Sequence, residues 1–340
     1  MKKIIVLGAG AMGSAFTVPC IDNKHKVYLV GTYLEDKIID KIISNKNLHP
    51  SLKCRLNKKL IIKKFADLQF IEEPDLIVIG VNSKGIDWAG HTIAHYFHSK
   101  TPILLLTKGL ALIDNKIITL SEKLKKTLNK YGVKKTNISV VKGPCLAHGL
   151  ANRIRTSAVV ANEKVSVAKK VGQIIGTNYY SIEYSNDVTG VEVCAAIKNI
   201  YSMVIGAAEG LSSSTVNSYI KRKNYLNTAA ALLNRSITEM VYLNKYFKGK
   251  KETVYGLAGL GDLYVSALGG RNSKMGKYLG DGLKYNKAKK DFMINDTIEG
   301  AELVAEIGKE IMKKFNKKKI PLMTSLIKSI SKNKKLNINW

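Results

Sequence analysis

Acidic residues, arginine, paired cysteines and long apolar runs are what this sequence has little of. The four cysteines, Cys20, Cys54, Cys145 and Cys194, include no CxxC pair. They offer no zinc spacing and no metal-ligand set, and read as scattered thiols in a reducing, cytoplasmic compartment. No segment beyond the N-terminus approaches the roughly 18 to 20 apolar residues that span a membrane. The start, MKKIIVLGAGAMG, imitates a signal peptide, but its apolar run is short and turns straight into glycines, which argues against that reading. Against 55 basic residues stand only 26 acids, a formal net charge of +29. Such a surplus raises nucleic-acid binding as a reading. The lysines, however, are dispersed in short KK and KKK pieces, arginine is scarce, and arginine is the preferred base reader. No specific nucleic acid is therefore expected as a partner. Attraction of phosphorylated small molecules is the milder consequence of the same field.

What is present suits two domains. The 340 residues exceed one compact core, and the apolar share of 45% is ordinary for a globular chain. Lys3–Leu7 is a short Ile- and Val-rich run, the mark of a buried parallel strand. It enters Gly8-Ala9-Gly10-Ala11-Met12-Gly13, a GxGxxG placed between a strand and a helix. Gly8 permits the tight turn, Gly10 lets backbone approach a pyrophosphate, and Gly13 lets the helix pack close to the strand. The helix start then offers N–H groups and a positive dipole to the phosphates. After the second strand, Lys26–Val30, an acid would hold a ribose 2′-hydroxyl and an arginine a 2′-phosphate. The chain offers Gly31-Thr32-Tyr33 with Glu35 and Asp36 farther on, so NAD and NADP both stay open.

Strand patterns at 75–81, 102–107 and 137–141 alternate with helical patterns at 85–97 and 116–131. That alternation predicts an α/β Rossmann-type doubly wound parallel sheet, extended by strands at 157–161 and 180–183. Ligands bind beyond the carboxyl ends of such strands, which selects Asn82-Ser83-Lys84, Lys108-Gly109 and Gly143-Pro144-Cys145. From residue 186 the pattern is helical almost to the end. The expected division is a dinucleotide-binding domain over 1–185 and an all-α substrate domain over 186–340.

The second half centres on a helix at 191–211 that is apolar all round, as befits the middle of a domain. Lys198 and Asn199 sit within it. One reading has Lys198 at the helix edge, its head in water. The other has a desolvated amine able to accept a proton. In the glycine-rich stretch 253–276, Asp262 stands where it caps a helix, and Arg271-Asn272 follow Gly269-Gly270 in a loop. Arginine binds phosphate bidentately. A nicotinamide domain, two lysines, a carboxylate and a phosphate-suited loop together specify hydride transfer to or from a phosphorylated alcohol.

In order and spacing, GAGAMG at Gly8, TKGL at Thr107, GPCLA at Gly143, AIKN at Ala196, GLAGLGDL at Gly256, GGRN at Gly269 and IEG at Ile298 make the chain resemble NAD(P)-dependent glycerol-3-phosphate dehydrogenase. The resemblance implies interconversion of sn-glycerol 3-phosphate and dihydroxyacetone phosphate, in a cytoplasmic enzyme, with a homodimer as the expected assembly. It makes Lys198 the proton acceptor, with Lys108 and Asp262 in the catalytic group. Substrate contacts fall to Lys108, Gly143, Cys145, Lys198, Asp262, Ser266, Arg271 and Asn272. Cofactor contacts fall to Gly8, Gly10, Ala11, Met12, Gly13, Thr32, Lys108, Ala147, Arg271 and Glu299.

The sequence also departs from the family pattern. Met12 stands where an aromatic is frequent, Val81-Asn82-Ser83-Lys84 replaces a proline-containing loop, Cys145 replaces Ser or Thr, Gly149 replaces Glu, and Gly270 replaces Ser. These changes touch the pocket more than the chemistry. Two alternatives follow: a divergent dehydrogenase for another phosphorylated alcohol or sugar, and a catalytically idle nucleotide-binding sensor.

Overall fold

The computed structural model describes residues 1–98, 100–213 and 225–338. Its internal contacts divide the chain into two units, 1–108 with 119–188, and 109–118 with 189–340.

The first unit runs β1 (Lys3–Leu7), α1 (Ala11–Asp22), β2 (Lys26–Val30), α2 (Asp36–Ser44), β3 (Ile61–Lys63), β4 (Leu76–Ile79), α3 (Ile86–Tyr96) and β5 (Ile103–Leu105). The chain then makes a hairpin, β6 (Leu110–Ile113) and β7 (Lys116–Thr119), which belongs to the second unit. It returns with α4 (Leu120–Lys130), β8 (Ile138–Lys142), α5 (Ala147–Ala151), β9 (Thr156–Ala161), α6 (Val165–Ile175) and β10 (Tyr180–Ser185). Among the described residues the sheet has eight strands in the order β10-β9-β8-β5-β4-β1-β2-β3. β1 lies in parallel between β2 and β4, with Ile4 opposite Val27 on one side and Leu76 on the other. Every residue of β4 is buried, because helices cover both faces of such a sheet.

Two details differ from the sequence reading. β9 runs antiparallel to β8, and β10 runs parallel to β9, so the sheet is parallel with one reversal. The helix expected over 116–131 begins only at Leu120. Asp114 and Asn115 both adopt positive φ, 49° and 58°, the conformation that closes a two-residue hairpin. That turn makes Lys116–Thr119 a strand. Thr119 then caps α4, its hydroxyl accepting the Glu122 N–H at 3.2 Å.

Among the described residues, the regular structure of the second unit is helical apart from that hairpin. It contains α7 (Val188–Ser213), α8 (Tyr225–Tyr246), α9 (Lys251–Tyr255), α10 (Asp262–Leu268), α11 (Arg271–Gly280), α12 (Tyr285–Phe292), α13 (Glu299–Lys314) and α14 (Pro321–Ser331). Contrary to the sequence reading, one segment does have the length and apolarity to cross a membrane: Val188–Ser212, at a mean hydropathy of 1.4 over its most apolar window. It is a core helix, with 94% of that window buried inside the protein.

Glycines let α11 pack backbone against backbone along α7. A Cβ on Gly276 would lie 1.9 Å from the Met203 carbonyl oxygen, and one on Gly280 2.2 Å from that of Ala207. Gly206 and Gly210 are equally tight against Ser273 and Asp281. At the far side, the Glu239 carboxylate of α8 accepts the N–H groups of Leu322 and Met323 at the start of α14, and the Tyr201 hydroxyl of α7. Burial pushes its carboxyl above the usual range while these donors pull it back.

Candidate active site

The first unit supplies the glycine turn. Gly8 has φ +107°, and its N–H bonds the Val30 carbonyl of β2 at 2.8 Å. A Cβ on Gly13 would lie 2.2 Å from the Gly8 carbonyl oxygen, so only glycine lets α1 approach β1 this closely. Around Gly10 the space is open: the nearest atom to a Cβ there would be Glu35 Oε1, at 4.0 Å. No side chain caps the start of α1. The turn therefore presents bare backbone N–H groups and a helix dipole, a cradle that fits a pyrophosphate. Ala11, Met12 and Thr32 are half-buried around it.

The loops at the carboxyl ends of β5 and β8 are neighbours, because those strands pair. Lys108 follows β5 and is half-buried. Gly143 follows β8 with φ +143°, where a Cβ would lie 3.0 Å from the Ala158 backbone. Cys145 donates its N–H to the Gly143 carbonyl at 2.8 Å, and Ala147 opens α5.

The second unit gathers the other predicted residues. Lys198 on α7 is buried, and its Nζ lies 2.8 Å from Asp262 Oδ1, also buried. The same Nζ donates a short hydrogen bond to Ser266 Oγ. The edge-of-helix reading of Lys198 is thereby set aside. Burial and the adjacent carboxylate act on its ammonium in opposite senses. Asp262 stands at a helix start, as the sequence suggests: a π-helical turn over Leu257–Gly261 delivers it as the first residue of α10, and its carboxylate meets Lys198. Gly259 makes that turn possible, since a Cβ there would meet the Val254 carbonyl at 2.1 Å.

Arg271 and Asn272 are not in a loop. Gly270, at φ +110°, leads straight into α11, of which they are the first two residues. Asn272 Nδ2 donates to Asn199 Oδ1 at 3.2 Å, and its Oδ1 accepts the Gly300 N–H at 2.9 Å. Asn199 Nδ2 donates to Glu299 Oε2 at 3.0 Å, while Glu299 Oε1 lies 3.3 Å from Arg271 Nη2. Arg271 and Glu299 remain half exposed. Lys198 and Asn199 thus join two clusters, a buried ion pair with a hydroxyl and a more open Arg-Asn-Glu network. Sequence reasoning named every member except Asn199 as a site residue. Its neighbour Lys198 was the available signal.

It gave no role to His49 and considered Glu35 only in the choice between NAD and NADP. Glu35 Oε2 accepts the Ala9 N–H at 2.9 Å and the Thr32 N–H at 2.8 Å. His49, buried, places Nε2 3.0 Å from the Ala9 carbonyl oxygen.

Comparison with known proteins identifies the family of the chain. Residues 3–168 match the family model described as NAD-dependent glycerol-3-phosphate dehydrogenase N-terminus, and residues 187–338 the one described as its C-terminus. The NADP(+)-dependent glycerol-3-phosphate dehydrogenase of Archaeoglobus fulgidus is 32% identical over 287 residues, covering 84% of this chain and 82% of that protein. A glycerol-3-phosphate dehydrogenase [NAD(P)+] of Clostridium botulinum is 27% identical over 92% of this chain and 89% of its own length. Among solved structures, the glycerol-3-phosphate dehydrogenase of Coxiella burnetii superposes with a TM-score of 0.80 at 25% identity, over 98% of this chain and 96% of that one.

Proposed function

Because this chain belongs to the NAD-dependent glycerol-3-phosphate dehydrogenase family, we propose that it interconverts sn-glycerol 3-phosphate and dihydroxyacetone phosphate with NAD or NADP. The observation that carries the reading is the buried pair of Lys198 and Asp262 at 2.8 Å, beside an Arg-Asn network. A buried lysine held by one carboxylate and one hydroxyl is a proton-transfer group in waiting.

In this reading residues 1–185, apart from the segment 109–118 that belongs to the second unit, form the dinucleotide-binding domain and residues 186–340 the substrate domain. Gly8, Gly10, Ala11, Met12 and Gly13 would hold the pyrophosphate of a nicotinamide cofactor, with Thr32, Lys108, Ala147, Arg271 and Glu299 as further contacts, and the cofactor would supply the hydride chemistry. Lys198 Nζ takes the hydroxyl proton during oxidation and gives one to the ketone oxygen during reduction. Asp262 stabilises the ammonium that forms and keeps Nζ oriented, and Ser266 fixes the remaining direction. Lys108 adds positive charge against the developing alkoxide. Arg271 and Asn272 hold the substrate phosphate, the guanidinium by charge-assisted bonds and the amide as a neutral donor. Gly143 and Cys145 complete the substrate loop. A reducing cytoplasm and a homodimer belong to the same proposal, the latter checked by light scattering.

The test is a reductase assay: consumption of NADH and of NADPH with dihydroxyacetone phosphate, then with other phosphorylated ketones and aldehydes. Turnover of dihydroxyacetone phosphate that disappears in Lys198→Ala, with cofactor affinity kept, supports the assignment. Unchanged turnover in that variant sinks the mechanism. Cofactor binding without turnover of any substrate supports a sensor instead.

A further inference from the structure

The turn between β1 and α1 carries no side chain that fixes its own peptides, yet it must aim N–H groups at a pyrophosphate. Two side chains from elsewhere in the chain converge on its second residue. Glu35 is 26 residues from Ala9 and His49 is 40. Glu35 Oε2 accepts the Ala9 N–H at 2.9 Å and, with the same oxygen, the Thr32 N–H at 2.8 Å. It therefore ties the turn after β1 to the turn after β2. The turn over 32–35 returns the carboxylate to this position, the Glu35 N–H bonding the Thr32 carbonyl at 2.9 Å.

His49 acts on the other end of the same residue. Its Nδ1 accepts the N–H groups of Ser51 and Leu52, at 3.2 and 3.1 Å. A nitrogen that accepts carries no proton, so the proton of the neutral ring is on Nε2. Nε2 therefore donates to the Ala9 carbonyl at 3.0 Å. His49 is 1% exposed, and the segment 45–57 is folded around it: Lys53 N–H bonds the His49 carbonyl and His49 N–H the Cys54 carbonyl. Ser14 Oγ gives the Ala9 carbonyl a second donor at 3.2 Å.

We propose that Glu35 and His49 are positioning residues for the cofactor, a two-sided clamp on Ala9 that sets the peptide planes of the glycine turn. Holding the Ala9 N–H on one side and its carbonyl on the other fixes the orientation of the peptides that lead into Gly10 and the start of α1. Neither side chain is asked to touch the reacting atoms. The inference rests on reading Gly8–Gly13 as the dinucleotide site. Its failure is separable: a wild-type protein that binds neither NADH nor NADPH refutes that reading, not the clamp.

The experiment measures dissociation constants of NADH and NADPH for the full chain by calorimetry, with steady-state kinetics alongside. His49→Ala and Glu35→Ala should each weaken the better-bound cofactor about tenfold, the scale of one or two lost hydrogen bonds. The KM for dihydroxyacetone phosphate, and kcat at saturating cofactor, should stay within about twofold. His49→Gln keeps a side-chain N–H donor of similar reach and should recover most of the affinity. Unchanged cofactor affinity in both alanine variants overturns the proposal, whatever happens to their melting temperatures. So does a loss in kcat and substrate KM as large as the loss in affinity, or His49→Gln behaving like His49→Ala. Should His49→Ala fail to fold, Glu35→Ala and His49→Gln still decide the matter.

Discussion

Lys198 Nζ and Asp262 Oδ1 lie 2.8 Å apart, with side chains only 6% and 4% exposed. An ion pair this enclosed is costly to break, because removing one partner strands the other charge away from water. Function and stability are therefore coupled at this point. Lys198→Ala should lower kcat by about 10² to 10⁴-fold, the usual share of a general acid–base group, with little change in NADH affinity. Asp262→Asn should also lose about 3 kcal/mol of stability in denaturant unfolding. The double variant Lys198→Met/Asp262→Leu should regain much of that stability without regaining activity. A single variant as stable as wild type would mean that the pair is solvated in solution.

Arg271 faces the opposite situation. Its guanidinium is half exposed and meets Glu299 at 3.3 Å, a geometry with little intrinsic stability. Arg271→Ala should therefore leave the melting temperature nearly unchanged while raising the substrate KM at least about tenfold, as loss of a charge-assisted phosphate contact requires. An unchanged KM would remove Arg271 from phosphate recognition.

Gly276 tests whether backbone contact between α7 and α11 places Arg271 and Asn272. A methyl group there would lie 1.9 Å from the Met203 carbonyl oxygen, and no rotamer change relieves a clash with backbone. Gly276→Ala should destabilise by about 1–3 kcal/mol or more and raise the substrate KM, since α11 must shift away from Asn199. Gly282→Ala is the contrast for steric crowding: no atom lies within 4 Å of a Cβ there. Its positive φ of 86° leaves only a backbone cost of about 1 kcal/mol, with KM unaffected. Equal effects of the two on KM would refute the argument.

Acid stability is predicted by Asp22. Partial burial raises its carboxyl, but Arg153 and Tyr179 bind the ionised form and leave it below the usual value of 3.8. Arg153 Nε and Nη2 meet the two oxygens at 2.7 and 2.9 Å, and the Tyr179 hydroxyl donates at 2.6 Å. A depressed folded-state value means the contribution is full above 3.8 and is lost as pH falls through the folded value. Asp22→Asn should therefore cost about 1 kcal/mol at neutral pH, discounted for the open Arg153 face, in urea unfolding. The difference from wild type should shrink only below about pH 3.8. A difference that instead disappears between pH 5 and 7 would point to another group.

The nucleotide end of the fold was legible because its signals are local. Lys3–Leu7 followed by three spaced glycines describes a strand, a turn and a helix within a few residues, and the backbone of that turn needs glycine wherever the chain meets it. Lys198 was conspicuous for an equally local reason, a lysine in an apolar helix. The sequence by itself determined the alternation of strands and helices, the glycine turn and the family motifs. It did not determine which side chain answers which. The family resemblance places Asp262 near Lys198, but only the fold shows how: a π-helical turn over Leu257–Gly261 delivers its carboxylate to within 2.8 Å of the amine. Glu35 enters the sequence reading only as an acid beyond β2 in the choice between NAD and NADP, and His49 carries no signal at all. Both reach Ala9 only because a return turn and a folded loop bring them across 26 and 40 residues. Partnerships of that span depend on how packed elements set distances and exclude water, and in this protein the tertiary structure alone decided them.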